Sequence, residues 1–420
     1  MVTKARLLKQ LRREAPEGEG RLPARGDRLP QVVLRAGRAA SHPWVYRRML
    51  AGPYHDLPPG ALVEALGRDE RFVGRGFYNP RSEIALRLLT EDPAVFPGAD
   101  WFREQIKRAA DFRREALSLG EETDAYRVVH SEGDGLSGLV VDRFGPCLAV
   151  ELFSAGMHRH LAWVKSGLEA EFPGAELVVR ADHRSEKLEG LRMDGPPPSA
   201  QARAVRIREG PARFHVDLRR GHKTGFFLDQ RENRARSAEL ARGREVLDGF
   251  CYTGAFGIRA ALAGAKSVEA ADLDETALAV AERNRELNGL GGSLRFVQAN
   301  VFDLLRERRS AGRKYGMVIL DPSKQAVSRH EVGRALAAYR DLNRLALQCL
   351  QPGGVLLSCS CTGLISEEEF LAALASAAEE ARMELQVFLL AGAAPDHPFA
   401  VRAPEGRYLK AVFARARPRE

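Results

Sequence analysis

Residues 245–272 read EVLDGFCYTGAFGIRAALAGAKSVEAAD, and this stretch decides the fold. An apolar run at 245–250 leads into a glycine-containing turn, a helical segment at 255–263 and a second apolar run at 267–271. The same alternation continues down the chain, with further predicted helices and strands at 275–288, 294–298, 301–309, 317–320, 332–350, 354–360 and 366–381. Strands that alternate with helices predict an α/β doubly wound fold, in which helices cover both faces of a parallel sheet.

Two more strands, predicted at 384–390 and 408–414, end the pattern without a helix between them. This ending resembles the reversed edge strand of the class I (Rossmann-like) methyltransferase fold. We therefore predict that residues 209–420 form a domain of that class.

The chain before residue 209 has a different pattern. Short apolar runs broken by turns, such as 31–35, 61–66 and 84–89, predict a small β-barrel over residues 31–105. A mixture of strands and helices predicts a small α+β middle domain over residues 106–208. The elements predicted in this part are helices at 100–119 and 158–171 and strands at 138–142, 147–152 and 176–180.

Composition limits the class of protein. The 420 residues suffice for two or three domains, and 45% hydrophobic and 29% charged residues are typical of a globular protein. No apolar run approaches the roughly 18 residues that span a bilayer. Residues 1–30 are polar and basic, which predicts a flexible arm rather than a signal peptide, and the Gly/Pro-rich run 195–199 predicts a linker. We therefore expect a cytoplasmic protein without a membrane partner.

The cysteines and the net charge narrow the chemistry. The chain has five cysteines, which form no CxxC pair and no metal-ligand spacing, so neither disulfides nor a bound metal is expected. The net charge of +8 fits a polyanionic partner, although genomic base composition can produce the same arginine excess. The charge alone therefore leaves nucleic-acid binding open.

The loop after the first predicted strand is a candidate cofactor site. A glycine at 254 lets the backbone approach a ligand closely, and the amides of a helix start can hold a polar group. The loop lacks the GxGxxG pattern of dinucleotide sites, so the methionine part of S-adenosylmethionine is the better fit. The residues assigned to the cofactor here are Asp248, Phe250, Thr253, Gly254, Ala255 and Phe256.

The ends of the next three predicted strands extend this site. Asp272, with Leu273 beside it, is placed to accept hydrogen bonds from two ribose hydroxyls, and Asn300-Val301 is placed near the adenine edge. Asp321-Pro322 is placed over the reacting methyl group. Any one of these acids alone is as readily a helix cap, but four strand ends in the expected order favour a ligand site.

Several motifs together resemble the RlmI-like family of bacterial large-subunit ribosomal RNA 5-methylcytosine methyltransferases. In the C-terminal half they are 221–231 (GHKTGFFLDQR), 252–256 (YTGAF), Asp321-Pro322, 339–343 (YRDLN), 360–364 (SCTGL) and 404–410 (PEGRYLK). Upstream, the stretches that resemble the family's RNA-binding PUA barrel and its middle domain are 42–45 (HPWV), 74–80 (GRGFYNP) and 131–143 (SEGDGLSGLVVDR). The likeness covers almost everything after residue 30.

The resemblance implies a cofactor, a partner and a reaction. The cofactor is S-adenosylmethionine, the partner is large-subunit ribosomal RNA, and the methyl acceptor is carbon 5 of a cytosine. Gln230 and Arg231 are implied to lie near the cofactor, while a helix start with a solvated Arg231 is the alternative interpretation. The oligomeric state is left open, and a homodimer is one of the possible states.

Methylation at carbon 5 needs a nucleophile, because this carbon does not attack a methyl sulfonium unaided. A cysteine thiolate that adds to carbon 6 converts the ring into an enamine, whose carbon 5 then attacks. Cys361, at the end of the fifth predicted strand, matches the family's nucleophile, with Asp321 as the acid and Lys324 as a helper for the thiolate or, equally, a contact for a phosphate. Without the surrounding motifs, Cys361 reads as a buried strand cysteine. Cys359, on the same face of the strand, is interpreted as a packing residue or a redox liability.

Two departures from related enzymes bear on the mechanism. Ser323 and Lys324 follow Pro322, where many RNA 5-methylcytosine enzymes carry a second cysteine that helps to release the product. The RlmI-like proteins also lack that cysteine, and the base that removes the carbon-5 proton is not identified. Ser323 also replaces a second proline that is usual in the family.

Two other functions compete with this prediction. A methyltransferase acting on an exocyclic base nitrogen usually has Pro-Pro and an aromatic residue after the fourth strand, which 323–325 does not offer. A non-catalytic RNA-binding protein with a retired catalytic domain would not need the intact acids at 248, 272 and 321.

Overall fold

The computed structural model describes residues 22–35, 42–52, 54–181, 183–192, 205–218 and 225–419. Most of the predicted basic arm, the predicted linker at 195–199 and the first four residues of the 221–231 motif lie outside these ranges.

The N-terminal part is a curled five-stranded sheet. Its strands are β1 (Gln31–Val33), β2 (Trp44–Tyr46), β3 (Ala61–Leu66), β4 (Phe72–Tyr78) and β5 (Ile84–Thr90). They are ordered β1-β3-β4-β5-β2, and an antiparallel bridge between Leu34 and Leu50 draws the two edges together. The predicted small barrel is therefore confirmed as a curled half-barrel.

A four-stranded sheet follows, with helices packed on it. Its strands, in the order β6-β7-β8-β9, are β6 (Ala125–His130), β7 (Leu139–Phe144), β8 (Cys147–Leu152) and β9 (Glu176–Arg180). Strand β9 is parallel to β8 and the other pairs are antiparallel. The helices of this part are α1 (Ala99–Asp111), α2 (Leu119–Glu122), α3 (Ala155–Arg159), α4 (Leu161–Glu171) and α5 (His183–Glu189).

Two predicted helices of this part are wrong in detail. The helix predicted at 100–119 ends at Asp111 and continues as a wider π turn to Ala116. This turn contains Arg113, whose fully buried guanidinium donates to the backbone oxygens of Ala109 and Arg127 at 3.1 and 2.9 Å. The helix predicted at 158–171 is two helices, interrupted where buried His160 turns its Nδ1 to the Gly156 oxygen at 3.0 Å.

The C-terminal part contains a two-stranded hairpin and a seven-stranded sheet. The hairpin strands are β10 (Val205–Glu209) and β11 (Ala212–Val216). The sheet strands are β12 (Glu245–Gly249), β13 (Ser267–Asp272), β14 (Leu294–Gln298), β15 (Tyr315–Leu320), β16 (Leu350–Ser360), β17 (Met383–Ala391) and β18 (Lys410–Pro418). The helices are α6 (Arg231–Ala241), α7 (Ala255–Leu262), α8 (Glu275–Leu287), α9 (Val301–Ser310), α10 (Val332–Gln348) and α11 (Glu367–Glu380).

The order of the seven strands is β14-β13-β12-β15-β16-β18-β17. Strands β12 to β16 are parallel, whereas β18 is antiparallel to both of its neighbours. The predicted doubly wound sheet with a reversed strand near its edge is therefore confirmed. Strand β15 is buried along its whole length because apolar clusters cover both faces of the sheet. Polar side chains can therefore reach a ligand only at the strand ends.

Candidate active site

The carboxyl ends of the five parallel strands lie along one edge of the sheet. The strands end at Gly249, Asp272, Gln298, Leu320 and Ser360. Apart from Gln230 and Arg231, every residue that the sequence assigns to the cofactor or to catalysis lies at one of these ends, in the loop that follows it, or in the first turn of the next helix. Ligands of doubly wound sheets bind at this edge, which makes it the candidate active site.

The loop after β12 has an unusual backbone. Phe250, Tyr252 and Gly254 have φ angles of +65°, +49° and +83°. Non-glycine residues at such angles cost about 1–3 kcal/mol each and concentrate at ligand sites. A Cβ at Gly254 would lie 2.7 Å from the ring of Phe296, so this position needs glycine for space as well as for conformation.

The same loop presents a buried polar atom that lacks a partner. Thr253 is almost completely buried, and within the described ranges its Oγ1 has no hydrogen-bond partner. Ala255 and Phe256 form the first turn of α7 and are also nearly buried. A buried hydroxyl without a partner at a helix start is expected to be satisfied by a ligand or water.

Asp248 lies behind this loop rather than on its surface. It is fully buried, and its Oδ2 accepts a hydrogen bond of 2.8 Å from the Gly257 amide in α7. Burial raises the pKa of Asp248 to about 8, with Asp321 and Asp272 adding to the effect. The structure therefore places Asp248 where it fixes the loop and the start of α7. Within the described residues its Oδ1 is buried without a hydrogen-bond partner, and the contact of Asp248 with the cofactor stays a prediction.

Asp272 ends β13 with both carboxylate oxygens aimed at backbone amides. Oδ2 accepts from Tyr252 N–H at 2.8 Å and Oδ1 from Asp274 N–H at 3.0 Å. Asp272 is half-buried, so each oxygen keeps a lone pair for an outside donor. Leu273 beside it is 65% exposed, which offers an apolar surface for a flat ring.

At the end of β14, only one of the two side chains predicted to contact the cofactor is exposed. Asn300 is exposed and caps α9, because its Oδ1 accepts from the Phe302 amide at 3.0 Å. Val301 is 2% exposed and lies under the first loop, where its Cγ1 would be 3.0 Å from a Cβ on Gly249. Val301 therefore packs under the loop, and the exposed atoms here belong to Asn300.

Gln230 and Arg231 have different surroundings. Gln230 Nε2 donates to Asp321 Oδ1 at 2.9 Å, so this residue orients the acid at the end of β15. Arg231 is 3% exposed and forms a two-bond ion pair with Asp396, with both bonds 2.9 Å long. The structure thus brings Gln230 to the site. Arg231 is held in a buried ion pair and is not solvated as in the alternative interpretation, and its position near the cofactor stays a prediction.

The two residues predicted to carry the reaction lie together. Cys361 follows β16 and its sulfur is 4.0 Å from the Pro322 oxygen, in the segment that carries Asp321. Both Cys361 and Asp321 are half-buried, so both reach the surface of the site. Cys359, by contrast, has no exposed surface and packs in the core, where burial holds its pKa well above the usual value.

Lys324 and Lys410 differ in burial and in their position relative to Cys361. Lys324 is exposed on the loop after β15. Lys410, at the start of β18, is 6% exposed and lies beside the segment that follows Cys361, since its Nζ donates to the oxygens of Thr362 and Ile365 at 2.7 and 2.8 Å. Sequence reasoning quoted Lys410 within a motif but gave it no role.

Residues 394–408 join this edge to the other two parts of the chain. Asp396, the partner of Arg231, also accepts a hydrogen bond of 2.9 Å from the Arg127 amide of β6. The ion pair Arg402–Glu91 and the contact between His42 Nε2 and Glu405 Oε2, both 3.2 Å, reach the region of the half-barrel. The half-barrel and the middle sheet are thus held next to the candidate site.

The residues at the edge fit S-adenosylmethionine. Asp272 and Asp321 lie close enough to Asp248 for their carboxylates to raise its pKa, and the negative potential of these two carboxylates suits the cofactor's sulfonium and ammonium groups. The free lone pairs of Asp272, the apolar Leu273 and the unpartnered Thr253 hydroxyl match its ribose, adenine and polar end. No cluster of side chains suited to a metal ion occurs in the described residues, and no helix there is long and apolar enough to cross a membrane.

Comparison with protein families identifies the class. Residues 176–400 match the model of an S-adenosylmethionine-dependent methyltransferase, and residues 38–91 match that of a PUA-like domain. The chain is therefore an S-adenosylmethionine-dependent methyltransferase with an N-terminal PUA-like domain, and the predicted cofactor is confirmed.

Curated relatives identify the family. The ribosomal RNA large subunit methyltransferase I of Shewanella denitrificans is 38% identical over 396 residues, which cover 92% of this chain and 99% of the relative. The same protein from Aeromonas hydrophila is also 38% identical with the same coverage. This chain belongs to the ribosomal RNA large subunit methyltransferase I family, as its motifs predict.

Solved structures show the same architecture at lower identity. The protein SMU.776 complexed with SAH matches with a TM-score of 0.77 and 20% identity, over 92% of this chain and 100% of that chain. A SAM-dependent methyltransferase from Streptococcus mutans matches with a TM-score of 0.76 and 19% identity, at the same coverage. At this identity the likeness supports the fold alone.

Proposed function

We propose that this protein methylates carbon 5 of a cytosine in large-subunit ribosomal RNA, in the cytoplasm, through a covalent bond between Cys361 and the base. The relatives' name supplies the RNA class, and the placement of Cys361 supports the chemistry. The observation that carries the proposal is the partly exposed Cys361 sulfur, 4.0 Å from the Pro322 oxygen, beside the acid Asp321.

The reaction begins with addition of the Cys361 thiolate to carbon 6 of the ring. A carbon–sulfur bond forms, and the electrons of the 5,6 double bond move to make carbon 5 nucleophilic. Asp321, oriented by the Gln230 amide, acts as the acid: its protonated form donates a hydrogen bond to the ring nitrogen and stabilises the negative charge that develops there. S-adenosylmethionine supplies an electrophilic methyl group when bound.

The reaction ends with methyl transfer to carbon 5, loss of the carbon-5 proton and release of Cys361. Carbon 5 takes the methyl group and then loses its proton to a base. The electrons of the carbon–hydrogen bond restore the 5,6 double bond as the bond to sulfur breaks, so the Cys361 thiolate is regenerated. The cysteine therefore acts as a covalent catalyst and is not consumed.

The target base must leave its stack to reach this edge. Unstacking costs about a few kcal/mol, which binding of the flanking RNA has to supply. The PUA-like domain is tied to the catalytic part near the edge through Glu91 and Glu405, and the net charge of +8 favours phosphate contacts. We assign these two features to holding the RNA.

The product nucleoside tests the proposal. Ribosomal RNA from cells that lack this enzyme is incubated with the protein and S-adenosylmethionine, digested to nucleosides and separated by chromatography with mass detection. We expect 5-methylcytidine, and a matching position that resists bisulfite conversion in the large-subunit RNA. Methyl transfer to the exocyclic nitrogen, or to another base, would refute the proposed chemistry while leaving the family assignment intact.

A further inference from the structure

Strand pairing fixes Lys410 beside the proposed nucleophile, Cys361. In the antiparallel pairing of β16 with β18, Lys410 lies opposite Ser360, the residue before Cys361. Its side chain is 6% exposed, and two of its three N–H groups donate to the oxygens of Thr362 and Ile365. The ammonium group is thereby fixed inside the turn that follows Cys361.

This buried charge needs an anion. A buried ammonium without an opposite charge is costly, yet Lys410 forms no ion pair with a carboxylate in the described part of the chain. Two acids of α11 act on it from a distance, but Glu369 accepts from the Ser366 amide at 2.7 Å and Glu367 pairs with Arg407 at 2.9 Å. Among the acidic groups that raise the pKa of Lys410 against the effect of burial, Cys361 comes first, ahead of Glu367 and Glu369.

We propose that Lys410 is the resident counter-ion of the Cys361 thiolate, a positioning residue that keeps the nucleophile ionised and anchors the turn behind it. The proposal deepens the proposed function, because it rests on Cys361 as the nucleophile. It replaces the role given to exposed Lys324 in the sequence prediction.

The protonation of Lys410 is consistent with this role. Burial lowers the pKa of Lys410 to about 8, so the ammonium form dominates at pH 7. Electrostatic coupling is reciprocal, so the charge that the thiolate stabilises on Lys410 also stabilises the thiolate. Ionisable side chains near this pair include Cys359 and Tyr339, whose pKa values Cys361 raises, and Glu367 and Glu369, which raise the pKa of Lys410. Asp321 lies beside Cys361 in the segment that carries Pro322.

Some of these neighbours disfavour the thiolate. Burial raises the pKa of both Cys359 and Tyr339, so both are neutral near pH 7. In the free enzyme the Asp321 carboxylate lies in the segment beside the Cys361 sulfur and opposes ionisation of the thiol, because like charges disfavour each other. Lys410 offsets this repulsion.

Alkylation of Cys361 tests the pairing directly. The rate of reaction with iodoacetamide is measured against pH, and the peptide containing Cys361 is quantified by mass spectrometry; the other four cysteines are buried. In Lys410→Gln the amide still donates hydrogen bonds but carries no charge, whereas Lys410→Arg keeps the charge. The alkylation midpoint is the pH at which the rate reaches half of its maximum. We expect this midpoint to be higher in Lys410→Gln than in wild type by about one pH unit or more, and to be nearly unchanged in Lys410→Arg.

Each result supports or overturns the pairing. Equal midpoints for Lys410→Gln and wild type would overturn it. If Lys410→Gln does not fold, the alkylation midpoint of the wild-type protein tests the pairing. A midpoint below about 8.5, the ordinary pKa of a thiol, supports the pairing, and a higher midpoint overturns it. The pH profile of methylation by Lys410→Gln should shift with the alkylation midpoint. A shifted midpoint with an unshifted profile would instead count against Cys361 as the nucleophile.

Discussion

Replacing Cys361 by alanine is expected to lower the rate of methyl transfer by about 10³-fold or more, because the substitution removes the atom that bonds to carbon 6. The side chain is half-buried and outside the apolar core, so the fold and the affinity for S-adenosylmethionine should be nearly unchanged. The rate is measured by transfer of a labelled methyl group to ribosomal RNA, and the cofactor affinity by calorimetry. A variant that retains turnover would remove Cys361 from the mechanism.

Cys359→Ala is the matched control. This cysteine lies two residues earlier in the same strand but has no exposed surface, so its loss should cost about 1 kcal/mol of folding stability. Methylation by the control should stay near the wild-type rate. If Cys359→Ala were as inactive as Cys361→Ala, the loss of activity would come from damage to strand β16 rather than from removal of the Cys361 thiol.

Replacing Asp272 by alanine is expected to weaken binding of S-adenosylmethionine by about 10²-fold. The carboxylate is the acceptor assigned to the two ribose hydroxyls, and each hydrogen bond to a charged group contributes about 1.5–3 kcal/mol. The same carboxylate also holds the Tyr252 amide at 2.8 Å, so its loss relaxes the strained loop. Calorimetric titration of the variant with S-adenosylmethionine measures the effect.

Asp274→Asn is the control for this second prediction. Asp274 caps α8 by accepting from the amides of Thr276 and Ala277, and asparagine caps a helix about equally well. Its cofactor affinity should match that of the wild type, and RNA binding should be unchanged in both variants. An affinity of Asp272→Ala within about twofold of wild type would contradict the assignment of Asp272 to the ribose.

The fold of the C-terminal part could be predicted because its signals are local. Each strand and helix between 245 and 381 has its own apolar pattern, and parallel β12–β16 demand helices on both faces. The errors arose where a tertiary contact overrides the local pattern. The π turn around Arg113 depends on Asp134, and at the break between α3 and α4 the ring of His160 stacks on Phe77 of β4, with the ring centroids 4.5 Å apart.

The site was predictable to the extent that strand ends define it. Asp272, Asp321 and Cys361 each follow an apolar run, so the sequence alone places them at one edge. The burial of Asp248 and the ion pair of Arg231 could not be predicted, because burial and a partner as distant as Asp396 are not visible in a local pattern.

Lys410 was missed for a related reason. It is a single lysine at the start of an apolar strand, and nothing in the local pattern distinguishes it from a surface residue. The antiparallel register that sets it opposite Ser360 joins positions fifty residues apart in sequence. A charged residue at the buried end of an otherwise apolar strand is the signal that could have found it.

A covalent trap tests the central claim most directly. Fluorine at carbon 5 of the target cytosine cannot leave as a proton does, so the bond between carbon 6 and sulfur should persist after methyl transfer. The enzyme is incubated with fluorinated RNA and S-adenosylmethionine, digested, and searched by mass spectrometry for a peptide–nucleotide adduct. We predict an adduct on Cys361 that is absent from Cys361→Ala. Methylated RNA without any adduct, or an adduct on a different residue, would contradict the account.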